Sequence, residues 1–355
     1  MGTFKHIAQQ TPLLQLPQSP VESNVWKSGY DKPPLVRREP GQIKAISFSP
    51  DLTMPLYAVA SGTKVFMYGE PPEWERVKTL TAFTQPVNGG HFRYDGRLFT
   101  CGCDDGIVRA FDITTGVVLR QFQDKGSRDL PVRSAVFSRD GLRIASAGDD
   151  KTLKIWDLGV GQLLNSFSEH TDSIRTVCPL PNDSSVWITA SYDKTVRFFD
   201  SRVSGSVRTI ECPSLVETVA ISSSGVSLAI ASDRSVIIYD AVSASDRPMA
   251  VLSNHHKTVT SLAFSKSDAY LLSGSFDKHV KVVDMEETNG FQVVASLDYP
   301  EPIIQVAPSN DDKFLLVAMN DGKLSLSTRK QQVDYVVRTG FLHFFVHLFL
   351  NSLEM

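Results

Sequence analysis

The chain has 355 residues, 42% hydrophobic and 21% charged, with 36 Lys+Arg against 39 Asp+Glu and a net charge of −3. This balance excludes wholesale disorder. It also excludes a protein that coats nucleic acid through bulk positive charge, while leaving room for a local basic patch.

The first residues, Met1 to His6, contain no apolar core and do not form a secretory signal. His6 stands where a myristoylation motif needs Ser or Thr. Prolines at 12, 17, 20, 33, 34 and 40 favour an extended arm over a helix or a central strand. Four cysteines (Cys101, Cys103, Cys178, Cys212) are too few and scattered for a disulfide framework and point to a reducing compartment.

From about residue 43 the chain repeats itself. Small residues, an Asp, a polar or Gly turn and an alternating apolar run recur around Asp105, Asp150, Asp193, Asp233, Asp277 and Asp321, at intervals of 45, 43, 40, 44 and 44. After five of these turns comes an aromatic or apolar residue followed by Asp: Phe111-Asp112, Trp156-Asp157, Phe199-Asp200, Tyr239-Asp240 and Val283-Asp284. A degenerate earlier unit lies at Ala60-Ser61-Gly62 with Val65 to Tyr68, making seven units between about Ile43 and Thr328. In the unit around Asp150, four strands are expected: Val132 to Phe137, Ile144 to Ala147, Thr152 to Trp156 and Gln162 to Phe167. Four short strands in about 43 residues make the blade of a β-propeller. One blade cannot bury both its faces, so blades stack and the ring must close.

These residues resemble the WD-repeat family. Trp156-Asp157 is the dipeptide that names it, and Glu169-His170 and Asn254-His255 stand where its usual Gly-His occurs. The resemblance implies an all-β, seven-bladed WD-repeat β-propeller over residues 43–330. It is preceded by an N-terminal arm, 1–42, and followed by a divergent apolar tail, 331–355. In related propellers the N-terminus supplies the last outer strand; Phe4 to Ile7 or Leu13 to Leu16 are the segments expected to do so here.

His170, Ser191 and Asp193 look like a hydrolase triad. In WD repeats, however, a His before the first strand, a Ser or Thr on the second and the turn Asp form a structural network. The pattern recurs as His255 with Ser273 or Ser275 and Asp277. A catalytic nucleophile would need a unique site with an oxyanion hole, whereas a device repeated around a ring is architecture. Cys101 and Cys103, two apart on one strand, read as buried small side chains. His343 and His347 lack the further ligands a metal requires. No phosphate-binding Gly-rich loop occurs. No catalytic, cofactor or metal site is expected.

WD-repeat geometry places one residue of each first strand on the rim: Lys44, Asn88, Arg133, Arg175, Glu217, Thr260 and Ile304. Tyr192 and Phe276, just before turn aspartates, lie close by. Of these, Lys44, Arg133, Arg175, Tyr192 and Phe276 are the candidate partner- or RNA-binding residues, with the two arginines suited to an acidic peptide or an RNA phosphate. Lys151, Lys194, Lys278 and Lys281 recur with the repeat and are weak evidence for RNA binding.

More specific words include Phe92 to Leu98, Leu119 to Phe122, Asn254 to Thr260, Leu271 to Ser275 and Asn320 to Ser325, with Trp26-Lys27 and Tyr30 in the arm. Together they resemble the U-three small nucleolar RNA-associated WD-repeat family of the small-subunit processome, over about residues 1–330. That resemblance implies a non-enzymatic scaffold in ribosome biogenesis, acting in pre-18S rRNA processing and rRNA transcription. Its implied partners are other processome subunits, the U-three snoRNA and pre-rRNA, with no membrane and no small-molecule substrate. The implied location is the nucleus and nucleolus. Relatives continue into a basic linker and a helical C-terminal domain. This chain instead runs from Val333 to Met355 with an apolar stretch, Phe341 to Leu350, about half the length of a membrane span. The alternative is a generic interaction adaptor, such as a ubiquitin-ligase substrate receptor.

Overall fold

The computed structural model describes residues 34–328 except 54, 70–73, 125, 127–128, 244, 246, 287 and 289. The segments Phe4 to Ile7 and Leu13 to Leu16 and the tail from 331 lie outside the described residues. No helix among the described residues is long and apolar enough to cross a membrane.

The first strand is β1 (Leu35–Arg38). Blade 1 follows as β2 (Ile43–Phe48), β3 (Leu56–Ser61), β4 (Lys64–Gly69) and β5 (Glu75–Leu80). Blade 2 is β6 (Val87–Phe92), β7 (Leu98–Cys103), β8 (Val108–Asp112) and β9 (Val118–Phe122). Blade 3 is β10 (Val132–Phe137), β11 (Arg143–Gly148), β12 (Leu153–Asp157) and β13 (Leu163–Phe167), within a residue or two of the four strands expected from the sequence. Blade 4 is β14 (Ile174–Pro179), β15 (Val186–Ser191), β16 (Thr195–Asp200) and β17 (Ser206–Glu211). Blade 5 is β18 (Val216–Ile221), β19 (Ser227–Ser232), β20 (Ser235–Asp240) and β21 (Ala250–Leu252). Blade 6 is β22 (Val259–Phe264), β23 (Tyr270–Ser275), β24 (His279–Asp284) and β25 (Val293–Asp298). Blade 7 takes β26 (Ile303–Pro308), β27 (Phe314–Met319) and β28 (Lys323–Thr328) from the C-terminal end and β1 from the N-terminal end.

The closing strand is therefore Leu35–Arg38, which corrects the two segments nearer the N-terminus. It pairs antiparallel with β28 in the register Leu35↔Leu326 to Arg38↔Lys323. Beyond it, Glu39 folds back against blade 1. Its buried carboxylate accepts a short hydrogen bond from the Tyr68 hydroxyl and lies 3.5 Å from an Arg76 nitrogen. The Arg37 guanidinium lies 4.9 Å from the Tyr68 ring centroid.

Seven inner strands (β2, β6, β10, β14, β18, β22, β26) neighbour one another in turn, and the last returns to the first. The apolar core follows this ring as seven clusters, each shared by adjacent blades. Blades 1 and 2 bury Met67 and Leu80 against Phe92, Phe99 and Phe111, and blades 7 and 1 bury Leu316 and Leu326 against Tyr57 and Phe66. No blade has a core of its own, which is why the alternation of one unit cannot be satisfied without its neighbours. Side chains add stitches between inner strands. The Ile46 N–H donates to Gln305 Oε1 at 2.7 Å, and the Val306 N–H to Ser261 Oγ at 3.1 Å.

Alternating strand direction puts two sets of connections on opposite faces. One face carries the turns after each second strand, including Asp193, together with the crossings between blades. The other face carries the turns after each first strand, and these link hand to hand: Asn182 to the Ser224 carbonyl, the Ser223 N–H to Asp268, the Lys266 N–H to Asp312, and Asn310 to the Pro50 carbonyl, at 2.7 to 2.9 Å.

Candidate interaction face

Each inner strand carries a bulge near its start, where two residues of the first strand oppose one of the second. The register skips Lys44, Asn88 with Gly89, Arg133, Arg175, Glu217, Thr260 and Ile304. These are the rim positions expected from the sequence. A bulged residue leaves the ladder, so its side chain is aimed at the rim instead of into the inter-blade core.

The structure gathers part of this set into one polar belt. Asn88 Nδ2 donates to Asp104 at 2.8 Å and to the Val132 carbonyl at 2.9 Å. Arg133 grips Asp149 with two nitrogens and lies 3.5 Å from Asp104, while Ser173 donates to Asp149 at 2.8 Å. Arg175 lies 3.7 Å from Glu217, with its guanidinium 4.9 Å from the Tyr192 ring centroid. The Tyr192 hydroxyl donates to Glu217 at 2.9 Å. Asp149 hydrogen-bonding to Arg133 raises the arginine's pKa further. Burial would raise the Asp149 carboxyl, but Arg133 and Ser173 bring it below its ordinary value. Burial pushes the Tyr192 phenol up to about 12.

Arg133 thus already holds a carboxylate through hydrogen bonds, while Arg175 is only ion-paired with one at 3.7 Å, its buried Nε hydrogen-bonded to no described residue. Thr260 is turned to backbone, donating to the Ile303 carbonyl at 2.9 Å. Phe276 stands apart with 39% of its surface exposed, and Lys44 is exposed and ion-paired with no described residue.

The network residues lie beneath this face. His170 Nδ1 bonds Asp193 at 2.7 Å, but its Nε2 bonds Thr189 at 2.7 Å, not Ser191. Ser191 lies on the same face of β15, one residue pair nearer the turn. Its hydroxyl donates to the Asp172 and Ser173 carbonyls and accepts from the Asp193 N–H. The third-strand aromatic is Phe199, edge-on to His170 with ring centroids 6.0 Å apart. In blade 6, His255 bonds Asp277 at 2.9 Å and Ser273 at 2.8 Å.

Sequence reading missed how blades without the histidine satisfy the same carboxylate. In blades 2 and 3 the cation four residues after the turn Asp takes over: Arg109 grips Asp105, and Lys154 holds Asp150 at 2.6 Å; in blade 7 Lys323, two residues on, holds Asp321 at 2.6 Å, and in blade 5 Asp233 accepts from the Thr258 hydroxyl at 3.2 Å. Where the histidine is present, that cation turns elsewhere: Arg197 binds Glu169 and Lys281 binds the Asn254 carbonyl. In blades 2, 3, 4 and 6 the signal was in the sequence, as a base four residues after the turn Asp. Lys151, Lys194 and Lys278 occupy left-handed turn positions, with φ between 62° and 75°. Cys101 and Cys103 are buried free thiols, their pKa values raised chiefly by burial. No cluster of three or more metal-ligating side chains occurs among the described residues.

Burial lowers the pKa of His170 and His255 despite Asp193 and Asp277, and takes His91, on β6, down to about 4. The unfolded chain protonates these imidazoles near pH 6.5. It therefore binds extra protons below that point, so stability is full above about pH 6.5 and falls with further acidification. Urea midpoints are expected to drop between pH 7.5 and 5.0, with His91→Asn removing the largest share of the drop. Equal midpoints for the unaltered chain at the two pH values would overturn this assignment.

The family model described as WD domain, G-beta repeat matches residues 74–112, 116–157, 161–200 and 246–284. Each match begins with the outer strand of one blade and ends with the third strand of the next, so sequence unit and blade are offset by one strand. The chain is 38% identical over 301 residues to the U3 small nucleolar RNA-associated protein 15 homolog of Xenopus tropicalis, covering 85% of this chain and 57% of that protein. It is 38% identical to the Xenopus laevis homolog over 94% of this chain and 62% of that protein. The Schizosaccharomyces pombe U3 small nucleolar RNA-associated protein 15 is 31% identical over 90% of this chain and 63% of its own length. The chain thus spans about three fifths of the length of these curated relatives. With seven blades offset by one strand from a matching repeat, the chain folds as a seven-bladed WD-repeat β-propeller, similar along its length to U3 small nucleolar RNA-associated protein 15.

Proposed function

We propose that the chain is a scaffold in ribosome biogenesis, acting in the nucleolus in processing of the pre-18S rRNA. The observation that carries this reading is identity of 31–38% across the propeller with proteins named for association with the U3 small nucleolar RNA. The bulged rim supports it, because a ring of side chains released from the sheet offers a surface for partners and no chemistry of its own is needed. Tyr192 and Phe276 suit the apolar anchors of a protein contact. Arg133 and Arg175 would have to exchange Asp149 and Glu217 for a partner's acids. Other processome subunits, the U3 snoRNA and pre-rRNA are the partners this role requires.

Depletion is expected to lower mature 18S RNA and accumulate precursor uncleaved at its 5′ end, with both restored by re-expressing the chain. Northern blots across the 5′ spacer read both species. Unchanged 18S levels, with ligase adaptors in place of U3 snoRNA in a pull-down, would overturn the proposal.

A further inference from the structure

Blade 1 departs from the other six at one place. Where they carry a turn aspartate, its turn reads Gly62-Thr63-Lys64, with no carboxylate. The crossing that enters this blade runs from Arg38 at the top of the closing strand to Lys44 at the inner rim. It passes between two turns: the Glu39 N–H donates to the Gly322 carbonyl, and the Gly62 N–H to the Gln42 carbonyl. Contact is close at Gly322, where φ is +82° and a Cβ would lie 3.0 Å from the Gly41 carbonyl oxygen.

The seam where the ring closes therefore brings Arg38, Lys44, Lys64 and Lys323 onto one face. Arg38 is opposite Lys323 in the strand pair, and Arg38, Lys44 and Lys64 are exposed. Two carboxylates accompany them. Glu39 is turned under the face, its side chain 1% exposed and bound to Tyr68 and Arg76. Asp321 is held by Lys323 at 2.6 Å and also feels Arg38. Lys44 and Lys64 form no ion pair with any described residue. At the rim of blades 3 and 4, by contrast, Arg133 and Arg175 are occupied by Asp149 and Glu217. In a chain of net charge −3, this seam concentrates cations that can meet a polyanion without first breaking an ion pair.

We infer that the closing seam, through Arg38, Lys44 and Lys64, is a contact site for the phosphate backbone of single-stranded RNA. The choice of RNA rests on the proposed function; the place rests on the charge geometry alone. Binding there is backbone-directed, so it is insensitive to sequence and steeply dependent on salt.

The test uses the full chain and a fluorescein-labelled 20-nucleotide oligouridine, followed by anisotropy across a salt series. The variant R38Q/K44Q/K64Q is compared with R139Q/K257Q/K266Q, which removes the same charge elsewhere on the surface; thermal melts confirm that both fold. Each phosphate contact on a single strand adds about 0.7 to the salt slope. The seam variant is expected to lose about 2 from that slope and about tenfold or more in affinity, with the control within twofold of the unaltered chain. Equal loss in both variants, no loss in either, or no binding by the unaltered chain at low salt overturns the inference. A parallel pull-down separates it from the function. If the unaltered chain recovers U3 snoRNA and the seam variant recovers as much, the seam is rejected and the function stands. If the unaltered chain recovers none, the function itself is rejected.

Discussion

A chain that begins at residue 43 is expected to melt about 10 °C or more below one that begins at residue 33. The longer form keeps β1, whose four residues pair with β28 from Leu35↔Leu326 to Arg38↔Lys323. The shorter form leaves β28 as an open edge. It also removes Glu39 from Tyr68 and Arg76, the tie between the closing strand and blade 1. At about 1 kcal/mol for each backbone bond, with the buried carboxylate's bonds added, the loss is about 5 kcal/mol. Blades 7 and 1 share a core that includes Leu324, Leu326, Tyr57 and Phe66, so the damage falls where the ring closes. Melts followed by circular dichroism decide the matter: coincident transitions would show that closure does not depend on β1. The same geometry predicts that removing residues 1–20 leaves this strand pair in place.

The second large effect is expected from His170→Ala. The imidazole is 1% exposed and joins Asp193, 4% exposed, to Thr189. Its removal strands one bond of a buried carboxylate and opens a cavity beside Phe199. Asp193 keeps the Thr195 hydroxyl and the Thr171 N–H, which limits the cost to about 3 kcal/mol. Double-mutant cycles in urea distinguish the two candidate hydroxyls. His170 with Thr189 is expected to couple by about 1 kcal/mol, and His170 with Ser191 by much less. The reverse order would make Ser191, and not Thr189, the imidazole's partner.

The ring was readable because its turn carboxylates repeat, and a carboxylate at a turn recurs only if each unit needs it. The second strands were readable as well, since almost every residue in them is buried between blades. The closing strand was not. Leu-Val-Arg-Arg has the burial pattern of an outer strand, almost wholly exposed, as do β9 and β13. Such strands carry no alternation of apolar and polar residues. Leu13 to Leu16, by contrast, is more apolar than an outer strand needs to be. The one-strand offset between sequence unit and blade is the better guide, because it requires the closing strand to come just before Ile43.

Ser191 bonds the Asp193 N–H, but the imidazole's own partner, Thr189, was hidden for a different reason. Positions 189 and 191 point to the same side of β15, and only the depth reached by the imidazole selects between them. The rim was legible as positions but not as a charge surface. Arg133 and Arg175 are basic in the sequence, yet Asp149 and Glu217 come to them from the second strand's end and from the next blade. Chain order does not display those encounters.

The extra residue in each inner strand separates two kinds of inheritance. Positions such as 136 or 177 are answerable to a neighbouring blade, and a change there unsettles the whole circle. Positions 44, 88, 133, 175, 217, 260 and 304 owe nothing to the ladder. Where the side chain is also free of the polar belt, as at Lys44, mutation carries little thermodynamic penalty, whereas Asn88, Arg133 and Thr260 remain tied by their own hydrogen bonds. A single durable frame can therefore diversify what it recognises while its folding stays constant, and divergence among relatives should collect at the untied rim positions before it reaches the walls.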